Sequence, residues 1–128
     1  MRLDTITSRR LSELLADSSI PPTHRALWAL LAQGEFGLVD FLSLDVRDVT
    51  GRKLRAAGPS RYGLTEMLVP ERASALLREI IGDRSEGAVF TEGGRAMSRE
   101  SASAAARQHA GCSIHAFRNS IFRHSAVE

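Results

Sequence analysis

The segment between Pro70 and Gly82 constrains the fold more than any other part of the chain. Proline favours the start of a helix and glycine favours its end, so these two residues predict the boundaries of one helix. The apolar residues between them recur at the i, i+3, i+4, i+7 and i+8 positions of a helix, which predicts an amphipathic helix with one buried face. These residues are Ala73, Leu76, Leu77, Ile80 and Ile81.

The same patterning predicts helices on both sides of this one. Ser98 is expected to cap one of them by bonding near Glu100 or Ser101, and this helix extends to about Ala110. The other predicted helices cover roughly residues 7–16, residues from Pro21-Pro22 to Gly34, residues from Gly37 or Leu38 to Leu44, and a last segment that begins near Ser113 or Ile114.

A small β-hairpin is predicted in the middle of the chain. Residues 53–56 and 64–69 form its strands, and the Gly-Pro-Ser sequence at 58–60 forms the turn. Arg61 and Tyr62 are placed near its tip. The predicted fold class is therefore mainly α with a small β-hairpin or sheet, an α+β fold.

Composition limits the kind of protein further. A chain of 128 residues is the length of one domain, so residues 1–128 are predicted to form a single domain. The single cysteine, Cys112, excludes an intramolecular disulfide and a multi-cysteine zinc site, and we expect no cofactor. The sequence contains neither the apolar core of a signal peptide nor an apolar run near the roughly 18 residues of a membrane span. We therefore expect a cytoplasmic protein without a membrane partner.

The basic residues are almost all arginine, because Lys53 is the only lysine. Arginine suits planar, bidentate contacts with phosphate, although a GC-rich genome also enriches it. His115 and Arg118 lie three positions apart and would share one helix face, where they could donate several hydrogen bonds to one phosphate. The alternative is a structural pair that bonds a carboxylate such as Asp40.

The remaining histidines and the cysteine have simpler interpretations. His24, His109 and His124 form no strong metal-ligating pattern with Asp or Glu, and we expect a solvated helix face. Cys112 precedes His115, which would suit a thiol hydrolase, but no third orienting group is evident. We therefore interpret Cys112 as a buried or idle residue.

The order of these elements resembles the catalytic domain of the tyrosine recombinases, the phage-integrase family. The resemblance is spread over nearly the whole chain and implies the fold of that domain, with double-stranded DNA as the partner. It is carried by residues 42–49, similar to L-x-L-x-W-x-D-I, by 68–70, similar to V-P-L, by 89–90 with 97–99, similar to V-F followed by G-x-P-L-S, and by 114–120, similar to L-H-D-L-R-H-T.

Departures from the family pattern fall on the catalytic positions that the resemblance implies. Gly37 occupies the place of the first catalytic arginine, and Asp40 occupies the acidic place that follows it. The hairpin lysine has no counterpart near 57–60, since Lys53 comes too early and Arg61 is the nearest cation. No tyrosine follows Arg118, where the family has its nucleophile. Loss of the nucleophile removes the covalent mechanism, and loss of one charged donor costs about 10²–10³ in rate.

The resemblance therefore implies a catalytically defective, DNA-binding pseudoenzyme, accessory or regulatory in recombination, integration or transcription. His115 and Arg118 are its remnant catalytic positions and DNA contacts, together with Arg61, Arg99 and Lys53. We expect modest affinity, and a nucleoid location if DNA is bound. One alternative is a protein-interaction module whose vacant C-terminal-helix groove binds a partner, another copy or a recombinase-like protein. A less favoured alternative is a fragment of an active recombinase.

Overall fold

The structure, a computed structural model, describes residues 6–33, 36–56 and 65–118. They form a mixed α+β arrangement, which confirms the predicted α+β class at that level. The helices are α1 (Ser8–Ala16), α2 (Pro22–Leu31), α3 (Leu38–Leu42), α4 (Glu71–Ile81) and α5 (Arg99–Ala105), with a 3₁₀ turn at Val46–Asp48, a π-helix at Ala106–Ala110 and helical residues 115–118. The strands are β1 (Val49–Thr50), β2 (Lys53–Ala56), β3 (Thr65–Leu68), β4 (Thr91–Glu92) and β5 (Arg95–Ala96).

Helix α2 forms the centre of the core. Its apolar residues are buried on nearly all sides, and Leu27, Trp28 and Leu30 are fully enclosed. Helix α4 packs against α2 through the face that the sequence pattern predicted, where Ala73, Leu76 and Leu77 are buried. Burial of this apolar surface is the main stabilising contribution that holds the helices together.

The capping predictions agree with the structure at two helices. Pro70 and Gly82 are the N-cap and C-cap of α4, and Gly82 has a φ of 59°, in the left-handed region that favours glycine. At α5, the Ser98 hydroxyl accepts a hydrogen bond from the amide of Ser101 at 3.1 Å. The helix predicted to reach Ala110 does so, but it changes from α to π geometry at Ala106.

The larger sheet has three antiparallel strands in the order β1-β2-β3. The predicted hairpin strands pair as expected, with Leu54 opposite Met67 on the buried face. Strand β1 adds a third, short strand that the sequence analysis did not predict, because two residues carry no readable alternation. The predicted turn at 58–60, with Arg61 and Tyr62, lies outside the described residues.

The C-terminal part of the described chain contains a second hairpin, formed by β4 and β5. Gly93 and Gly94 connect its strands with φ values of 57° and 82°, in the left-handed region that favours glycine. The adjacent Val89 and Phe90 are fully buried. Among the described residues, no helix combines the length and apolar character needed to cross a bilayer.

Candidate functional site

A cleft of about 570 Å³ lies between α3, α5 and the helical residues 115–118. Its walls come from segments that are far apart in sequence, so only the tertiary fold assembles it. The lining residues are Gly37, Leu38, Val39, Asp40, Arg99, Glu100, Ser103 and His115.

The first wall of the cleft begins at Gly37, the N-cap of α3. Its backbone is extended, with φ −94° and ψ 178°, a conformation that any residue adopts. The Gly37 amide donates a hydrogen bond to Oδ2 of Asp40 at 2.9 Å. The Asp40 carboxylate therefore caps the helix and satisfies an amide that would otherwise lack a partner.

Arg118 reaches the cleft at the same point. A Cβ atom placed on Gly37 would lie 3.7 Å from Nη1 of Arg118 and 3.7 Å from Oδ2 of Asp40. Both distances are ordinary van der Waals contacts, so the guanidinium faces position 37 without crowding it. The Arg118 guanidinium and the Asp40 carboxylate both border the space that a side chain at position 37 would enter.

Arg118 makes no hydrogen bond or ion pair with any residue that the structure describes. The alternative prediction was that the pair bonds the Asp40 carboxylate. Arg118 does not lie within ion-pair distance of Asp40. Arg118 is exposed, and no described residue occupies its guanidinium donors.

The helical residues 115–118 have one buried and one exposed side, as the sequence predicted. Ala116 and Phe117 are fully buried, whereas His115 and Arg118 are exposed. The Phe117 ring stacks on Trp28 with centroids 4.7 Å apart and an interplanar angle of 7°. This contact fixes the segment against α2 and directs His115 and Arg118 towards the cleft side.

The second wall of the cleft is formed by α5. Arg99 is exposed and lies beside Glu100, and Ser103 follows one helical turn later. The amide of Ser101 donates to the Ser98 hydroxyl, as the capping prediction expected, so this amide is not a free donor at the start of α5. Arg99 contributes its own guanidinium to the cleft, where Glu100 contributes an opposing charge.

The structure brings together part of the predicted DNA-binding set. Arg99 and His115 line the cleft, and Arg118 lies at its Gly37 edge. Lys53 is exposed on β2, the central strand of the sheet, and does not line the cleft. Arg61 lies outside the described residues.

A buried polar cluster that was not predicted from the sequence lies behind this site. The expected solvated face is wrong for His24, which is only 6% exposed. His24 precedes Trp28 by one helical turn, and its ring stacks on that of Trp28 and lies 6.0 Å from that of His109, between centroids. The signal was present in the sequence, because positions 24, 27, 28 and 31 follow the helical core spacing.

Burial lowers the pKa of His24 below its ordinary value of 6.5. The Glu92 carboxylate opposes this shift from 3.7 Å away, and His109 adds to it. A buried imidazole of this kind favours its neutral form because the charged form loses hydration.

Comparisons of the chain with protein-family models, with curated proteins and with solved structures found no match. Within residues 6–33, 36–56 and 65–118, no group of three His, Cys, Asp or Glu side chains is arranged to hold a metal ion.

Proposed function

We propose that this protein is a catalytically defective, tyrosine-recombinase-like DNA-binding protein with an accessory or regulatory role. The observation that carries the proposal is the approach of Arg118 to Gly37. The resemblance assigns these positions to the second and first catalytic arginines of the family. Two arginines that stabilise one phosphate must converge, and the 3.7 Å between Nη1 of Arg118 and the Cβ position of Gly37 agrees with that requirement.

The donors around this point support a phosphate ligand. Arg118 is exposed and makes no hydrogen bond within the described part of the chain. His115 and Arg99 present further nitrogen donors at the same cleft. Charged donors bind phosphate oxygens more strongly than neutral donors do, and an arginine can bind two of them at once.

Position 37 also explains the proposed loss of catalysis. Glycine has no side chain to place a positive charge on the transition state, and loss of one such donor costs about 10²–10³ in rate. Binding does not require this charge, because Arg118, Arg99 and His115 are sufficient to contact a backbone. The cleft is therefore suited to holding DNA rather than cutting it.

The acidic residues of the cleft set the expected strength of binding. Asp40 and Glu100 lie among the cationic donors, so the local field is mixed. The Asp40 carboxylate accepts a hydrogen bond from the Gly37 amide, so its negative charge also interacts with the positive end of the α3 dipole. We expect modest affinity that falls steeply as the salt concentration rises.

Fluorescence anisotropy with a labelled duplex of mixed sequence tests the proposal. The expected result is binding at about 50 mM salt that weakens strongly by about 200 mM salt. The same duplex, labelled at an internal phosphodiester, should show no covalent protein adduct and no strand cleavage after long incubation. Absence of binding at the lower salt concentration contradicts the proposed function, and a covalent adduct contradicts its catalytic defect.

A further inference from the structure

The buried polar cluster behind the cleft contains two polar atoms that packing does not explain. The Nδ1 atom of His24 and the Nε1 atom of Trp28 are buried, and neither has a hydrogen-bond partner among the described residues. Buried polar atoms without partners are unfavourable and uncommon in native structures. Such a pair at the centre of a core is a place where a change of charge has large effects.

The two side chains hold the C-terminal segment at two points. The His24 ring faces His109, at the end of the π-helix, with centroids 6.0 Å apart. The Trp28 ring stacks on Phe117, with centroids 4.7 Å apart. His109 and Phe117 lie on either side of His115 in sequence, so α2 anchors the segment both before and after it. These contacts hold His115 and Arg118 in place at the cleft.

Two neighbouring titratable groups affect the protonation of His24. Among the described residues, Glu92 from β4 and His109 from the π-helix are the charged or titratable groups that act on it. Nε2 of His24 lies 3.7 Å from Oε2 of Glu92, whose other carboxylate oxygen accepts a hydrogen bond from the Ser101 hydroxyl. A protonated His24 would gain this one partner but would face a second imidazole and lose its hydration.

We propose that His24 is a proton-sensitive positioning residue, whose neutral ring packs with Trp28 and His109 to hold residues 109–118 against α2. Its protonation in mildly acidic solution releases this segment, and the release displaces His115 and Arg118 from the cleft. The consequence for DNA binding rests on the proposed function, whereas release of the segment does not. The segment separates because the imidazolium regains water only when the contacts around it open.

Trp28 is the only tryptophan, so intrinsic fluorescence of the full chain reports on this contact directly. Between about pH 8 and pH 5 we expect a red shift of the emission maximum and a rise in acrylamide quenching, with the midpoint below 6.5. Both changes are needed, because an imidazolium beside Trp28 alone would reduce its intensity without exposing it to acrylamide. His24→Phe and His24→Gln should each remove the transition.

Two further variants test the direction of the effect. Glu92→Gln removes the partner that favours the charged His24 ring, so the midpoint of the transition should fall. His109→Gln removes the group that opposes protonation of His24, so the midpoint of the transition should rise. A transition that persists in both His24 variants, or no transition in the wild type, overturns the proposal.

DNA anisotropy at about pH 7.5 and pH 5.5 separates this proposal from the proposed function. Acidification normally adds positive charge and strengthens binding to DNA. We expect about a tenfold loss of affinity in the wild type and none in His24→Phe. Unchanged or stronger wild-type binding at the lower pH overturns the coupling between the segment and the cleft. If DNA fails to bind at either pH, the proposed function fails and the Trp28 fluorescence still decides whether His24 releases the segment.

Discussion

Nη1 of Arg118 lies 3.7 Å from the position that a Cβ atom would occupy on Gly37. The two residues are far apart in sequence: Gly37 is the N-cap of α3, and Arg118 belongs to the helical residues 115–118. Oδ2 of Asp40 lies at the same distance from that position but accepts a hydrogen bond from the Gly37 amide, and Arg118 makes no hydrogen bond with any described residue. Substitutions at Arg118 and at Gly37 can therefore test the role of each position.

Arg118→Ala should weaken DNA binding and reduce the slope of log affinity against log salt concentration by about one. The physical reason is the loss of one phosphate contact and the counterion that it releases. Anisotropy titrations at several salt concentrations measure the slope. Arg9→Ala is the matched control, because Arg9 is exposed on α1 and does not line the cleft. An equal change of slope in both variants would show that binding does not use this site.

Gly37→Glu should weaken DNA binding about as much as Arg118→Ala, because its carboxylate would extend towards the guanidinium and occupy its donors. Gly37→Gln is similar in size and carries no charge, so we expect a smaller effect. Adding Gly37→Glu to an Arg118→Ala chain should change affinity little further, since the two changes act on one interaction. Fully additive losses in this double-mutant cycle, measured by anisotropy, would place the two residues in separate sites.

Phe117→Ala should lower the free energy of unfolding by about 3–5 kcal/mol, because it removes a fully buried ring stacked on Trp28. Phe117→Leu should cost less, since it retains part of the buried volume. Urea unfolding followed by circular dichroism measures both. Leu68→Thr is the control, because Leu68 is 67% exposed and should change stability by no more than about 0.5 kcal/mol. A Phe117→Ala cost as small as that of the control would contradict the packed position of residues 115–118.

Asp45 should make stability depend on pH in strongly acidic solution. Hydrogen bonds from the Arg47 side chain and amide and from the Gly87 amide lower the pKa of Asp45 from 3.8 to about 2. A carboxyl whose pKa is lower in the folded state stabilises the fold above its unfolded pKa. This contribution disappears as the pH falls from about 3.8 towards 2.

Asp45→Asn should therefore be less stable than the wild type near neutral pH, and the difference should narrow as the pH approaches 2. Denaturant unfolding at a series of pH values measures it. Asp83→Asn serves as the control, because Asp83 is exposed and has no hydrogen bond among the described residues. A constant difference between Asp45→Asn and the wild type across this range would show that the hydrogen bonds do not lower the pKa.

Local features of the fold were predictable because they depend on nearby residues. The periodicity between Pro70 and Gly82 predicted α4 and its caps, and Ser98 predicted the start of α5. Short elements were not predictable in this way. Strand β1 has two residues, and the bridge between Asp45 and Ala88 joins positions that no local pattern connects.

In the candidate site, too, local features were predictable from the sequence and contacts between distant segments were not. The spacing of His115 and Arg118 showed that they share an exposed helix face, because helical periodicity is a local property. The helical spacing of His24 indicated a core position, but the sequence did not reveal that His24 lies beside His109, or that Arg99 lines the same cleft as His115.

The sequence by itself determined where most helices begin and end, which faces are apolar, and that position 37 carries no charge. Only the tertiary structure decided that Gly37 faces Arg118 and that His24 faces His109. The physical reason is that backbone preference acts over a few neighbouring residues. Contacts between distant segments depend on how the buried faces of all the helices pack together.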